Sequence, residues 1–288
     1  MALIMSIVAA LAAVAGLVLA GLWLVGGAEP VFRIGRGGPF WFVAVRWREG
    51  RGDLTLADGI RRRWVARPDF GFVGPADPYW HLFALVAGTA KGAAPVVLAD
   101  DVEDALVLRV KPGRPPRIAV GLLRCLTALG VLRPPAGAPA EDLSGKGFRA
   151  EVMPDAGNIR RLLDQPRSYA PAMLNLLQYH PEARYETPRP GVEPVTGATA
   201  YRRYGVVALR TVYRTGGHLV FFAPVDAVVR EAAAGPAAGT WDEVAVMQYD
   251  RPEAILTMEH APDYLAALDH RDAGLQRSIV TASTRLAH

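Results

Sequence analysis

Residues 170–179 (APAMLNLLQY) constrain the fold more than any other stretch. A strand alternates its side chains between two faces. Ala172, Leu174 and Leu176 share one face and Met173, Leu177 and Tyr179 the other, so the segment is apolar on both. Such a strand belongs to a sheet that is covered on both sides. A layer for each face must come from this chain or from a second copy of it.

The segments that follow predict one of those layers. Residues 196–215 read as a helix, with Tyr201, Tyr204, Gly205, Ala208 and Val212 in one stripe and Arg202, Arg203, Arg210 and Arg214 mostly away from it. Gly216-Gly217 closes it. Residues 218–229 read as a strand, 231–240 as a Gly/Ala loop and 241–249 as a strand. A helical stretch over 251–273, broken at Pro262, and a final strand over 278–285 complete the pattern. The order is βαββαβ, the ferredoxin-like split unit, which predicts an α+β domain over residues 166–288. Two helices would cover one sheet face, and the other face needs a second sheet.

The segments MLNLLQY, AYRRYGVVALRTVYRTGG, TWDEVAVMQYD and APDYLAALDHRDAGLQRS resemble the bacterial domain-of-unknown-function family thirteen-thirty, four motifs in order over about residues 171–284. That family lies in the dimeric α/β-barrel superfamily. The resemblance implies a ferredoxin-like fold whose sheet packs face to face on another such sheet, usually in a homodimer. It implies no reaction, because the family has no settled activity. Superfamily relatives include cofactor-independent monooxygenases and haem enzymes, an analogy of fold alone. Ala223-Pro224 departs from the family where a glycine is expected.

Residues 1–28 contain no Lys, Arg, Asp or Glu. A helix over residues 3–25 is long enough to cross a hydrocarbon core. Gly26-Gly27-Ala28 would serve as a signal-peptidase site, but the segment lacks a basic start and exceeds the usual signal core. The expectation is a transmembrane anchor, with a cleaved signal or a buried core helix as alternatives. Arg33 and Arg36 follow the span and nothing basic precedes it, so the positive-inside rule puts the bulk of the chain in the cytoplasm, on a single-pass inner-membrane protein. The one cysteine, Cys125, fits that reducing side and excludes an intramolecular disulfide framework.

Residues 29–165 carry 20 basic against 15 acidic residues, whereas the rest of the chain is near neutral. Strands are expected at 39–47, 79–88, 103–110 and 148–153, and helices at 54–65 and 117–132. That order repeats strand, helix, strand, strand, helix, strand, so this half would be a second, diverged α+β unit. It would supply the missing sheet within the chain, as a pseudo-dimer in place of a homodimer. The helix at 117–132 is apolar almost all round and is either core or interfacial, with Cys125 a buried small hydrophobe. The run Arg61-Arg62-Arg63-Trp64 with Arg67 has the composition of a phosphate-binding patch, but no base-reading module accompanies it, and a solvated or lipid-facing surface accounts for it. No nucleic-acid partner is expected.

Few residues make unusual demands. Asn175 stands mid-strand in an apolar run, where an unbonded amide costs ~1–3 kcal/mol, so it bonds a neighbouring loop or a ligand. His270-Arg271 set a titratable group beside a fixed cation, suited to a general base with an anion clamp, although helix C-terminal capping explains them equally. Tyr201 and Tyr204 line a cavity between helix and sheet or pack into the core. Trp241-Asp242-Glu243 open a strand, with Asp242 an ion-pair or acid/base partner of the His270-Arg271 pair. The candidate catalytic residues are therefore His270, Arg271 and Asp242, and the candidate ligand contacts Asn175, Tyr201, Tyr204 and Trp241. No cofactor motif is present. Asp69-Phe70-Gly71 and His270-Arg271-Asp272 mimic kinase signatures in reversed order without a Gly-rich loop. Gly35-Arg36-Gly37-Gly38 lacks the Gly-Lys-Ser/Thr of a phosphate loop. The six histidines include no pair at helical metal-binding spacing, so no metal site is expected.

Two functions follow, a small-molecule-binding barrel, including a cofactor-independent enzyme, or a non-catalytic module that binds a ligand or partner at the membrane surface. A pocket with convergent Asn, His and Arg argues for the first. A barrel packed solid leaves the second.

Overall fold

In the computed structural model, which describes residues 1–34, 37–89, 94–139, 141, 143, 149–186 and 193–287, the chain starts as an apolar helix, α1 (Ala2–Gly27). Its segment Met5–Gly27 is long and apolar enough to cross a membrane; most of it is exposed, and its last turns pack against residues 117–121. A short helix, α2 (Pro30–Ile34), buries Val31, Phe32 and Ile34 and leads into β1 (Phe40–Trp47). Arg36, the second basic residue after the apolar segment, lies outside the described residues.

β1 shows how the first half is built. Phe40, Phe42 and Ala44 point into one core, while Trp41, Val43, Val45 and Trp47 point into another on the opposite face. The outer core is completed by Leu54, Ile60 and Val96, carried on or beside two short strands, β2 (Thr55–Leu56) and β5 (Val96–Val97), which pair as a small separate sheet. The long strands of this half are β3 (Ile60–Val73), β4 (Leu82–Gly88) and β6 (Val102–Val110). After β6 come α3 (Arg117–Ala128) and α4 (Ala156–Leu163).

The second half runs β7 (Ala172–Tyr179), α5 (Gly197–Arg214), β8 (His218–Arg230), β9 (Glu243–Gln248), α6 (Ala254–Thr257), α7 (Pro262–Gly274) and β10 (Leu275–Arg285). Thr196 caps α5 by accepting the Thr199 N–H, and Pro262 opens α7 at a position where its missing N–H is no loss. β7 is buried on both faces. Ala172, Leu174 and Leu176 join the inner core, and Met173 and Leu177 pack beneath α5 and α7.

Eight long strands close into one antiparallel barrel in the order β1-β4-β3-β10-β7-β9-β8-β6. The first half contributes β6-β1-β4-β3, its fourth, first, third and second long strands in that order. The second half contributes β10-β7-β9-β8, again its fourth, first, third and second. The two seams, β3 on β10 and β6 on β8, each join the second strand of one half to the fourth of the other. The molecule is a mixed α+β structure around a large antiparallel sheet, and that sheet closes within a single chain.

Three local expectations are corrected. Residues 54–65 form no helix: they are β2, a turn at Gly59 (φ 81°) and the start of β3. Arg61, Arg62 and Trp64 pair with β4 through a bulge, which aims Trp64 into the barrel, while Arg61 and Arg62 before it are exposed. Of the strand expected at 148–153, Phe148 lies outside the described residues, and Ala150–Val152 is a 3-10 turn. Cys125 is partly exposed on α3, not buried.

Candidate functional site

The barrel interior is filled. Phe42, Trp64, Phe83, Leu85, Leu106, Leu108 and Phe221 are at most 1% exposed. Trp64 meets Phe221 edge-on at 5.5 Å and Phe42 meets Phe83 at 5.9 Å. At one mouth, beneath Tyr79 and Trp80, a cavity of about 20 Å³ remains between Phe83, Leu174 and Ile279, room for one water. The 231–240 loop and the Trp241 that follows it plug that mouth, with Ala232 and Ala237 facing inward. A buried carboxylate holds the plug: Asp104 accepts the N–H groups of Ala233 at 2.9 Å and Ala234 at 3.3 Å and the Tyr79 hydroxyl at 2.9 Å.

The polar chemistry lies on the other side of the sheet, under the helices. Tyr179 at the end of β7, Tyr201 and Tyr204 on α5 and Tyr264 on α7 follow one another at ring separations of 5.3, 5.3 and 5.8 Å. The Tyr204 and Tyr264 hydroxyls are 3.2 Å apart. Burial raises all four phenols, so they stay protonated at neutral pH. Arg271 on α7 is buried beside them, donating to the Val152 carbonyl at 2.9 Å and pairing with Asp272 at 3.2 Å. At the other end, burial pushes the Glu243 carboxyl up to about 7, against the hydrogen bond from Tyr179 and the attraction of Arg202. The row therefore joins a fixed cation to a carboxyl that titrates near neutrality, through neutral hydroxyl groups.

Three of the candidate residues named from the sequence, Tyr201, Tyr204 and Arg271, meet in this row. The other four stand elsewhere. Asn175 shares the helix-facing side of β7, where its amide donates to the carbonyls of Met173 at 3.0 Å and Ala245 at 3.4 Å. His270 is 2.8 Å from the Tyr185 hydroxyl, on a partly exposed side of α7. Asp242 is exposed and accepts the Tyr179 N–H at 2.7 Å, so it ties β9 to the end of β7 and forms no ion pair with Arg271. Trp241 faces the barrel core, donating to the Ala237 carbonyl at 2.8 Å under the Arg277 guanidinium.

Glu243 and Tyr264 escaped the sequence reading, although a signal existed. Glu243 alternates with Ala245 and Met247, whose partners Asn175 and Met173 share the helix-covered face. A second missed carboxylate is Glu29, just beyond α1, which is buried among Arg124 at 3.0 Å, the Tyr213 hydroxyl at 3.0 Å and His218 Nδ1 at 2.8 Å. Among the described residues, no group of three or more His, Cys, Asp or Glu could hold a metal ion; His288 lies outside them.

No protein-family model matches the chain, and no curated protein does. Two solved structures are similar to part of it. The RPA0582 protein of unknown function from Rhodopseudomonas palustris is 27% identical over 47% of this chain and 95% of its own, with a TM-score of 0.38. A methylated RPA0582 protein is 28% identical over 48% of this chain and 93% of its own, also at 0.38.

Proposed function

We propose that this chain is a single-pass membrane protein whose barrel, filled at its centre, is a non-catalytic binding module at the membrane surface. The filled barrel carries this reading. Aromatic and branched side chains occupy the barrel interior in which a ligand would sit, and the cavity at its mouth admits one water. The scatter of Asn175, His270, Asp242 and Trp241 supports it, since no convergent acid/base site is formed.

The fold reading is that of two ferredoxin-like units joined in one chain, an intrachain counterpart of the dimeric α/β-barrel. Its support is the shared fourth-first-third-second strand order of the halves and the βαββαβ order of the second. In the first half the β2–β5 sheet takes the covering role of helices. In this reading α1 is the anchor, and Arg33 beyond it supports a cytoplasmic barrel under the positive-inside rule.

A second reading, small-molecule binding at the tyrosine row, is favoured by one observation, the Glu243 carboxyl raised to about 7 beside Tyr179.

Native mass spectrometry of the full chain released from detergent separates these readings. A bare monomer is expected, whereas a stoichiometric small molecule lost on Tyr204→Phe and Glu243→Gln substitution would establish the second and overturn the first. Release of the chain from membranes by alkaline carbonate would overturn the anchor.

A further inference from the structure

Among the described residues, α3 is packed on two sides and open on a third. One side packs on α1: a side chain added at Gly121 would collide with the Leu22 carbonyl, and one added at Gly26 with the Arg117 carbonyl. Two backbones that approach this closely through glycines make the small-residue contact typical of helices in membranes. Going from Arg117 to Gly121 along α3 means going from Gly26 back to Leu22 along α1, so the helices run in opposite directions at the last turns of the apolar segment. The second side packs through Val120 and Leu123 on Phe32 of α2, Tyr213 of α5 and Leu219 of β8.

The third side is apolar and open. Ile118, Leu122 and Leu129 recur at helical spacing and are 39%, 44% and 76% exposed, and Val131 beyond the helix is 66% exposed. An amphipathic helix in water turns such a stripe inward. Here the inward positions are already filled, and the stripe borders the α1 contact. Arg117 marks the depth: its guanidinium lies 3.4 Å from the centre of the Trp23 ring, the pairing of a tryptophan and a long cation found where a helix leaves the hydrocarbon.

We propose that α3 is a second membrane contact, with Ile118, Leu122, Leu129 and Val131 seated in the bilayer interface beside α1. This rests on the anchor reading of α1. Two contacts on one body fix the barrel's orientation to the membrane, where a single helix on a short connection would let it swing. Continuity with the last turns of α1 selects lipid as the occupant over a second copy of the chain.

The test uses the full chain in nanodiscs on a Cys125→Ser background, with a fluorophore on one introduced cysteine at a time and brominated phospholipid as the quencher. Leu11→Cys reports α1, Leu122→Cys and Leu129→Cys report the stripe, and Glu182→Cys, at the far end of α5 from Tyr213, is the aqueous control. Loss of fluorescence at 122 and 129 comparable to that at 11, with none at 182, is the expected result. Quenching at 11 but not at 122 and 129 overturns this proposal and leaves the anchor standing. No quenching at 11 overturns the anchor and this proposal with it. An unquenched stripe with a doubled particle mass assigns it to a second copy of the chain, against the proposal.

Discussion

His218 Nδ1 donates to the Glu29 carboxylate at 2.8 Å, joining the residue just past α1 to the first residue of β8. The same carboxylate pairs with Arg124 of α3, so one buried anion ties the apolar helix, α3 and the barrel together.

Burial by itself would raise the Glu29 pKa, but the hydrogen bonds from His218 and Tyr213 and the charge of Arg124 prevail and hold it below 4.5. A carboxyl lowered in the folded state adds stability above its unfolded pKa and loses it as pH falls through the folded value. Glu29→Gln is expected to cost ~1–3 kcal/mol at neutral pH. The difference from wild type should shrink below about pH 4, checked by chemical unfolding in detergent across pH.

Glu243 has the opposite sign. Between 4.5 and about 7 the folded protein keeps a proton that the unfolded chain has released, so stability falls as pH rises through that window and levels off above it. Glu243→Gln is expected to flatten this dependence and to stabilise the protein at pH 8 by ~1–3 kcal/mol. Unfolding curves at pH 5 and pH 8 read both effects, and Tyr179→Phe, which removes a donor to the carboxylate, should steepen the wild-type trend.

Asp104→Asn replaces one acceptor oxygen of the barrel plug with an N–H donor. The expected cost is ~1–3 kcal/mol. Hydrogen exchange at the Ala233 and Ala234 amides should accelerate while exchange in β7 stays slow, since the plug opens before the barrel does.

Trp64→Ala empties the centre of the barrel. A cost of ~3–5 kcal/mol is expected, with the folded protein gaining a dry cavity that takes up xenon. Unchanged stability would mean that the interior is looser than its packing indicates.

The second half was largely legible because its signals are local. The double apolar parity of residues 172–179, the capped stripe of 197–214 and the proline that opens α7 each act within a few residues. The segment 54–65 was not. Leu56, Ile60 and Trp64 sit four residues apart, a spacing that suits a helix, and only pairing with β4, closed by the bulge at Arg62, selects a strand. Of the polar residues, Tyr201 and Tyr204 showed in the α5 stripe, whereas Glu243 and Tyr264 join them only because β9 and α7 are brought to the same sheet face.

By itself the sequence determined that residues 1–28 stand apart from the charged remainder and that a strand at 172–179 needs cover on both faces, because charge distribution and side-chain parity are properties of contiguous residues. Tertiary structure decided what provides that cover. The second layer is the chain's own first half, whose strands meet β10 and β8 across the seams β3–β10 and β6–β8. Such contacts join residues more than a hundred positions apart, and their energy comes from shape and burial that no local pattern encodes.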